Sequence, residues 1–298
     1  MAGYGYGATQ GFSYPAIHQA IIESAYPPQV YRHMFEQDLD PQNQIKEYPI
    51  EDGDTEFTVN QIAEGEEVPI EVVQLTNAVN KTGKIAEGFP ITFEMVQFAK
   101  LPIVAYQPKK LGLKIGNTID RGCEALVSGT VPAGNVVAAT GTTIGNDGQQ
   151  YTRAGEIGRN DVKAAIRRVQ EGQVEPTDII FNPIGWEMLS KLAVYSSVNQ
   201  IGRPAYANGK LPTIEGLRVH TTTNCRVGEA HIIAASNSSY SGQYIPMGFF
   251  HYNYDIRTDS RRNPAKDQNE VYAYSHYRPI VTRARNLAKI TYGGSPYT

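Results

Sequence analysis

Side chains capable of chemistry are present in this chain, but they do not form a recognisable catalytic or metal-binding pattern. The six histidines never lie three or four residues apart, the spacing at which two imidazoles on one helix can share a metal ion. There is no Gly-x-Ser-x-Gly nucleophile motif, and Cys123 and Cys225 do not form a Cys-x-x-Cys pair. The sequence therefore predicts no catalytic residue, no cofactor and no metal site, and both cysteines are expected to be reduced thiols.

Three carboxylates, Glu64, Glu66 and Glu67, come closest to an acid–base group. General acid–base catalysis needs a buried carboxyl with a raised pKa, whereas these three lie in a strongly acidic stretch. Nine Asp and Glu from Glu47 to Glu71 have no Lys or Arg among them. Such a charge run is typical of a solvated or partner-facing segment, so we expect it to contact another molecule.

The composition excludes several classes of protein. Hydrophobic residues make up 41% of the 298 residues, enough for a sizeable core, and charged residues only 19%. These values exclude collagen, a coiled coil and a charged disordered chain. The chain contains no run of about 18 apolar residues, so no membrane span is predicted. The first residues lack the pattern of a signal peptide. A net charge of −3 argues against a dedicated nucleic-acid-binding domain.

The acidic run lies in a segment with strand-like alternation. In residues 45–91, apolar side chains such as Val68, Ile70 and Val72 alternate with others and are bounded by acidic Gly-containing turns. The segment has too few apolar residues for a core on both faces. We therefore predict a long two-stranded projection, which needs a neighbouring surface because an isolated hairpin is marginal in water.

The rest of the chain predicts a helical part followed by an α/β part. Apolar residues at nearly every fourth position between 103 and 127 predict one long helix. Its glycines, including Gly112 and Gly116, weaken it by roughly 1 kcal/mol each, and they indicate that another backbone approaches closely. Residues 159–240 predict a helix–strand–helix–strand unit with a mixed sheet.

The last strands are predicted from alternation between residues 244 and 292, where eight Lys and Arg outnumber the acidic residues. Phe250, Tyr252 and Tyr254 are expected to share one strand face. A basic strand face suits an acidic partner or nucleic acid, and both alternatives stay open. We predict contacts between copies of the chain through the acidic early segment and this basic late segment. The candidates are Glu64, Glu66, Glu67, Val68, Ile70, Val72, Arg257, Arg261, Arg262, Arg283 and Arg285.

Three stretches, in this order, resemble the major capsid proteins of tailed bacteriophages and related archaeal viruses, the Hong Kong 97 type. Residues 80–94, NKTGKIAEGFPITFE, are similar to the segment where the family's E-loop returns to its P domain. Residues 111–120, LGLKIGNTID, are similar to its spine helix. Residues 160–192, followed by IEGLRV at 214–219, resemble its A domain. Together the resemblance covers most of residues 45–290.

The resemblance implies an α+β fold of the Hong Kong 97 type. It divides the chain into an N-terminal arm (1–44), an extended β E-loop (45–91), a P domain with a long spine helix and turn-rich strands (92–158), an α/β A domain (159–243), and return strands to the P domain with the C-terminus (244–298). The family often carries a scaffolding segment before the arm, whereas here the arm begins almost at Met1, so we expect either a separate scaffold protein or a processed form. No inter-subunit crosslink is carried over from the family.

The implied function is a viral structural protein, not an enzyme, that self-assembles through pentamers and hexamers into an icosahedral shell around double-stranded DNA. The implied partners are further copies, packaged DNA without sequence specificity, and scaffold, portal and decoration proteins, with no membrane contact. The expected location is the virion capsid, assembled in the host cytoplasm. One alternative is an encapsulin-like shell around cargo enzymes. A second is a soluble α/β enzyme whose pocket gathers His220 or His231 with acidic residues.

Overall fold

A computed structural model describes residues 14–50, 76–92, 103–144, 150–152, 155–172, 174–191, 213–235, 239–240, 243–244, 246–266 and 268–293. Within these ranges no helix combines the length and the apolar character needed to cross a membrane. The helices are α1 (Tyr14–Ala25), α2 (Ile103–Thr130), α3 (Arg159–Glu171) and α4 (Pro183–Ser190).

The structure describes sixteen strands. In chain order they are β1 (Glu36–Leu39), β2 (Ile45–Ile50), β3 (Thr76–Lys81), β4 (Gly83–Thr92), β5 (Val136–Ala138), β6 (Thr142–Ile144), β7 (Gln150–Thr152), β8 (Asp178–Phe181), β9 (Thr213–Ile214), β10 (Leu217–Thr221), β11 (Glu229–Ile233), β12 (Ser239–Tyr240), β13 (Gln243–Tyr244), β14 (Gly248–Asn263), β15 (Gln268–Val281) and β16 (Leu287–Thr291).

The long helix α2 confirms the prediction made from its apolar residues. Its buried side chains recur every fourth position, which places them on one stripe. The stripe packs into a core shared with α1 and with the sheet that contains β14 and β15. The buried stripe consists of Leu111, Ile115, Ile119, Cys123 and Val127.

Two glycines explain how closely α1 packs on α2. A Cβ atom added at Gly112 would lie 2.2 Å from the carbonyl oxygen of Ile21, and one added at Gly116 would lie 2.1 Å from that of Ala25. Ile21 and Ala25 are fully buried. The predicted close approach of a second backbone is confirmed, and the arm supplies that backbone.

A six-stranded mixed sheet forms the second core. The strand order is β5-β16-β11-β8-β10-β9, with β5–β16 and β8–β10 parallel and the other neighbours antiparallel. Helices α3 and α4 pack on it through Val162, Val169 and Leu189, all fully buried. Asn182 begins α4 because its side-chain oxygen accepts the backbone N–H of Ile184 at 3.1 Å.

A four-stranded sheet, in the order β1-β14-β15-β4, carries the long return strands. Val271 and Ala273 are fully buried and Ser275 almost so, on the face toward α2. β2 and β3 form a separate antiparallel hairpin, called the hairpin root here because residues 51–75 continue from it. Those residues, with the predicted strands around Val68, lie outside the described residues.

Two register shifts interrupt the pairing of β14 with β15. Tyr252 pairs with Tyr277, Tyr254 pairs with His276, and Arg257 pairs with Tyr274. Each shift adds a residue to β14 that has no counterpart on β15, so side chains beyond the shift point to the opposite face of the sheet. The predicted common face of the aromatic residues is therefore wrong for Tyr254, which lies on the opposite face from Tyr252.

The domain division stays a prediction, and one strand of the expected projection belongs to the four-stranded sheet. Strand β4 lies in the stretch 45–91 expected to project, and it pairs along its whole length with β15 in the four-stranded sheet. Of the described strands in that stretch, β2 and β3 lie outside that sheet's ladder.

Candidate assembly surfaces

The structure separates the predicted contact residues into two places. Arg257, Arg261 and Arg262 are exposed on the outer half of β14. Arg283 and Arg285 are half-buried in the turn between β15 and β16, where Arg285 lies close to the C-terminal end of α3. The acidic and apolar candidates Glu64, Glu66, Glu67, Val68, Ile70 and Val72 lie outside the described residues.

One face of the four-stranded sheet combines cations with tyrosine rings. It is called the aromatic–basic face here and consists of Lys84, Tyr254, Arg257, Arg261 and Tyr274. The first register shift in β14 moves Tyr254 onto this face, and the second restores the original alternation, so Arg257 and Arg261 share the face with Tyr254, Tyr274 of β15 and Lys84 of β4. Helix α2 packs on the opposite face of the sheet, and among the described residues Lys84, Arg257 and Arg261 are exposed on this one.

The rings hold the cations on this face. The Arg257 guanidinium carbon lies 4.8 Å from the Tyr254 ring centroid, and the Lys84 Nζ lies 4.9 Å from that of Tyr274. The two rings meet edge to face at 5.6 Å. Stacking on a ring fixes a guanidinium while leaving its in-plane N–H groups able to bind a carboxylate. The arrangement suits acidic groups of another molecule.

Two carboxylates belong to the same sheet face, because Asp259 of β14 lies between Arg257 and Arg261 and pairs with Tyr272. Glu270 pairs directly with Arg261 across the strands and accepts hydrogen bonds from Tyr272, Asn263 and Gln268, which lower its pKa to about 2. It is ionised at neutral pH, so it partly offsets the arginine. With Lys84, Arg257 and Arg261 against Asp259 and Glu270, the face keeps a formal excess of one positive charge.

The hairpin root is anchored to the four-stranded sheet by an ion pair and an aromatic stack. Lys46 Nζ donates to Asp38 Oδ2 of β1 at 2.7 Å, and the Tyr48 hydroxyl donates to the same carboxylate. These donors lower the pKa of Asp38, against the effect of burial. The Tyr48 ring stacks on Phe249 at 5.0 Å. The outer face of the root is exposed, with Val79 65% accessible.

Asn253, a residue skipped by the strand pairing, ties the hairpin root to β14. Its Nδ2 donates to the carbonyl oxygens of Asp40 and Asn43 at 2.7 and 2.8 Å, and its Oδ1 accepts from the Thr82 hydroxyl at 2.6 Å. His276 Nδ1 also lies 2.6 Å from that oxygen. The bulge thus turns a polar side chain toward the two turns that flank the root.

Asp255, which lies at the second register shift, holds the arm. Arg32 donates from Nη1 and Nη2 to the two oxygens of Asp255 at 3.0 and 2.8 Å, and to Gln29 at 2.8 Å. The guanidinium also stacks over Phe250 at 4.6 Å. Arg32 lowers the pKa of Asp255 although burial opposes it. This ion pair fixes the arm on β14.

The long helix holds the arm through Asp120. Its Oδ1 accepts the backbone N–H groups of Tyr31 and Arg32 at 2.6 and 3.2 Å, and its Oδ2 accepts Asn224 Nδ2 at 2.9 Å. Burial nevertheless raises the pKa of this carboxyl to about 6, because loss of hydration outweighs the three donors. Asp120 therefore titrates close to neutral pH.

The two histidines named for the enzyme alternative lie in separate environments. His220 Nε2 lies 2.8 Å from Asp178 Oδ1, and Arg218 donates to the other oxygen at 2.8 Å, which ties β10 to β8 and lowers the pKa of Asp178. His231 lies near Glu124 and Glu229, a group of three possible metal ligands between α2 and β11.

The anchoring residues Arg32, Asp120, Asn253 and Asp255 were not predicted from the sequence. Asn253 and Asp255 carry a weak signal, since both are poor strand formers within the aromatic run FFHYNYD and so indicate an irregular strand. Asp120 interrupts an otherwise apolar and glycine-rich helix face. For Arg32 the sequence offers no comparable signal, because its partner lies more than two hundred residues away.

One protein-family model matches most of the chain. A family model described as "Phage capsid protein" matches residues 76–290. No curated protein matches the chain.

The structural comparison gives low sequence identity but extensive coverage. A capsid structure of the cyanophage P-SCSP1u has a TM-score of 0.65 at 10% identity, covering 90% of this chain and 89% of that one. A structure from Mycobacterium phage Che8 has a TM-score of 0.63 at 11% identity, covering 90% and 92%. The SrpI encapsulin of Synechococcus elongatus has a TM-score of 0.57 at 12% identity, covering 99% and 97%. These likenesses show the fold.

Proposed function

Because the chain belongs to the phage capsid protein family, it is a structural protein of the virion whose copies form an icosahedral shell, and we propose how those copies recognise one another. The acidic segment from Glu47 to Glu71 of one copy, with Glu64, Glu66 and Glu67 at its centre, contacts the aromatic–basic face of a neighbour. The apolar residues Val68, Ile70 and Val72 supply affinity at the same contact.

The observation that carries this proposal is the segregation of charge. Nine acids and no Lys or Arg lie between Glu47 and Glu71, and the hairpin root that leads into them is tied down by Asp38 and Asn253. The aromatic–basic face presents Arg257 and Lys84 already stacked on tyrosines. One chain thus carries both halves of a self-complementary contact, which a closed shell repeats at every neighbour.

The charges set register rather than affinity. Each exposed ion pair is worth about 0–1 kcal/mol, whereas complementary charge raises association rates and excludes wrong alignments. Arg262 extends the basic edge of the strand, while Arg283 and Arg285 belong to the separate turn near α3. We assign the contact to Arg257 and Arg261 first because they lie on the face opposite α2.

We also infer that the shell encloses double-stranded DNA without sequence specificity, is assembled in the host cytoplasm, and meets scaffold, portal and decoration proteins. Family membership supports this reading. The encapsulin alternative rests on the fold that the chain shares with the SrpI encapsulin. The contents of purified shells distinguish the two, since nucleic acid supports the viral reading and cargo protein the encapsulin one.

Charge reversal tests the contact. Glu66→Lys with Glu67→Lys should abolish normal shells in light scattering and negative-stain images while far-UV circular dichroism shows a folded subunit. Arg257→Glu with Arg261→Glu should do the same, and combining the four substitutions should restore assembly. The matched control is Arg167→Glu with Arg168→Glu, an exposed pair on α3, which should assemble normally.

Normal shells from the Glu66 and Glu67 double variant would contradict the proposed contact. The shell function is tested separately with the unaltered chain. If it gave only monomers or dimers, even with a crowding agent or scaffold, the shell reading itself would fail.

A further inference from the structure

A buried group of mixed ligands lies where the long helix meets the six-stranded sheet. Glu124 comes from α2, and Glu229 and His231 lie two residues apart on β11, so their side chains share one face of that strand. One ligand atom from each lies within 4.8 Å of the others. Glu124 is 5% exposed and His231 0%.

Two polar atoms of this group lack a hydrogen-bond partner. His231 Nε2 and Glu124 Oε1 are both buried, and neither has a partner that meets hydrogen-bond geometry among the described residues. His231 Nε2 lies 3.3 Å from Glu229 Oε2. Two donors bound to one tetrahedral zinc ion with bonds of about 2.0–2.1 Å are separated by about 3.3 Å, so this pair already has the required spacing.

The opposite ring nitrogen is held in the way a metal-binding histidine requires. His231 Nδ1 lies 2.7 Å from the Tyr31 hydroxyl. If Nδ1 carries the proton and donates to Tyr31, Nε2 presents its lone pair toward the two carboxylates. A hydrogen bond to the other nitrogen is the usual device that orients an imidazole for a metal ion.

The surrounding charges leave room for a cation. Lys289 Nζ lies 3.5 Å from Glu229 Oε1 and donates to Ser128, whose hydroxyl donates to Glu229 Oε2 at 2.6 Å. Arg226 lies 4.0 Å from Glu124 and 3.9 Å from Glu229. Its side chain is 58% exposed, so it can turn to solvent when a cation neutralises the carboxylates.

We propose that Glu124, Glu229 and His231 bind one divalent first-row transition-metal ion, such as zinc, with water at the fourth position. Imidazole together with carboxylate disfavours magnesium and calcium, which prefer oxygen ligands alone. The ion links α2 to β11 beside Tyr31 of the arm. Its role is structural, because it joins the two cores of the subunit.

The test is zinc binding by the full-length chain. Calorimetry measures the binding, and thermal unfolding with and without chelator measures its effect on stability. We expect one equivalent of Zn²⁺, a higher unfolding temperature with zinc, and no comparable effect of Mg²⁺. Glu124→Gln and His231→Gln should each bind at least about tenfold more weakly. The control His33→Gln removes an exposed histidine and should bind as the unaltered chain does.

Cobalt gives a readout that does not depend on any variant. Co²⁺ bound by the unaltered chain should show the strong visible absorption of a four-coordinate site and should be displaced by Zn²⁺. The proposal is overturned if the unaltered chain binds no zinc saturably. It is equally overturned if Glu124→Gln binds zinc as tightly as His33→Gln, or if only Mg²⁺ or Ca²⁺ binds.

Discussion

The contact between α1 and α2 makes Gly116→Ala the sharpest test of the fold. A new Cβ at Gly116 would lie 2.1 Å from the Ala25 carbonyl oxygen and 2.9 Å from its carbonyl carbon. Both atoms belong to the backbone of α1, so no rotation of a side chain can relieve the overlap. The arm helix must move away from α2.

The expected cost depends on that displacement. An ordinary carbon–oxygen contact is about 3.3–3.6 Å, so α1 must retreat by more than about 1 Å. Overpacking of this kind costs about 1–3 kcal/mol, and the gap also loosens Ile17 and Ile21, which are almost fully buried. Alanine gains about 1 kcal/mol in helix propensity over glycine. We expect a net loss of about 2 kcal/mol in the free energy of unfolding.

Gly129→Ala is the matched control because it makes the same change in the same helix. A Cβ at Gly129 meets no atom within 4 Å, so this variant should be unchanged or more stable by up to about 1 kcal/mol. At Gly112 the substitution should also destabilise. Ser24→Gly should not rescue it, because the Ile21 carbonyl oxygen would still lie 2.2 Å away.

Urea unfolding of the unassembled subunit, followed by far-UV circular dichroism, gives these free energies. Fluorescence of Trp186, the single tryptophan, reports the second core separately. The two signals should shift together if the subunit unfolds as one unit. A Gly116→Ala variant as stable as Gly129→Ala would refute the reasoning, since it would mean that α1 is not seated on α2.

Three further outcomes are expected. Arg32→Lys should lower the free energy of unfolding by about 2 kcal/mol, because an ammonium cannot bind both oxygens of Asp255. Urea unfolding measures this loss, with the exposed substitution Arg167→Lys as the control. Equal stability of the two variants would contradict the expectation. Asp120 has a pKa of about 6 when folded against 3.8 when unfolded, so its contribution is favourable below pH 3.8 and declines by about 3 kcal/mol as pH rises through 6. The unfolding free energy of Asp120→Asn, measured from pH 4 to 7, should lack that decline, and identical profiles for the two proteins would refute the assignment. Cys123 and Cys225 are buried and form no disulfide bond, and burial raises the pKa of both thiols. A thiol reagent should modify neither cysteine in the folded chain and both in denaturant. Rapid labelling without denaturant would count against the packing of α2 on the sheet.

Local periodicity was enough to predict several of the described elements. The stripe along α2, the helix at Asn182 and the alternation in β15 each depend on residues close together in sequence, so their physical cause can be read from spacing. The glycines of α2 predicted a close partner as well, although not which segment would supply it. Charge segregation between the early and late parts was likewise visible in composition alone.

Tertiary structure decided which of those residues meet. The register shifts in β14 depend on how Asn253 and Asp255 satisfy groups of the arm and the hairpin root, and one shift moves Tyr254 to the opposite face. The same pairing aligns Arg257 of β14 and Lys84 of β4 with tyrosines on β14 and β15. Arg283 and Arg285 belong to the same basic part of the sequence, but they lie in the turn between β15 and β16, away from this face. Glu124 and His231 lie more than a hundred residues apart and come together only because α2 crosses the end of β11, so local sequence patterns carry no trace of their contact.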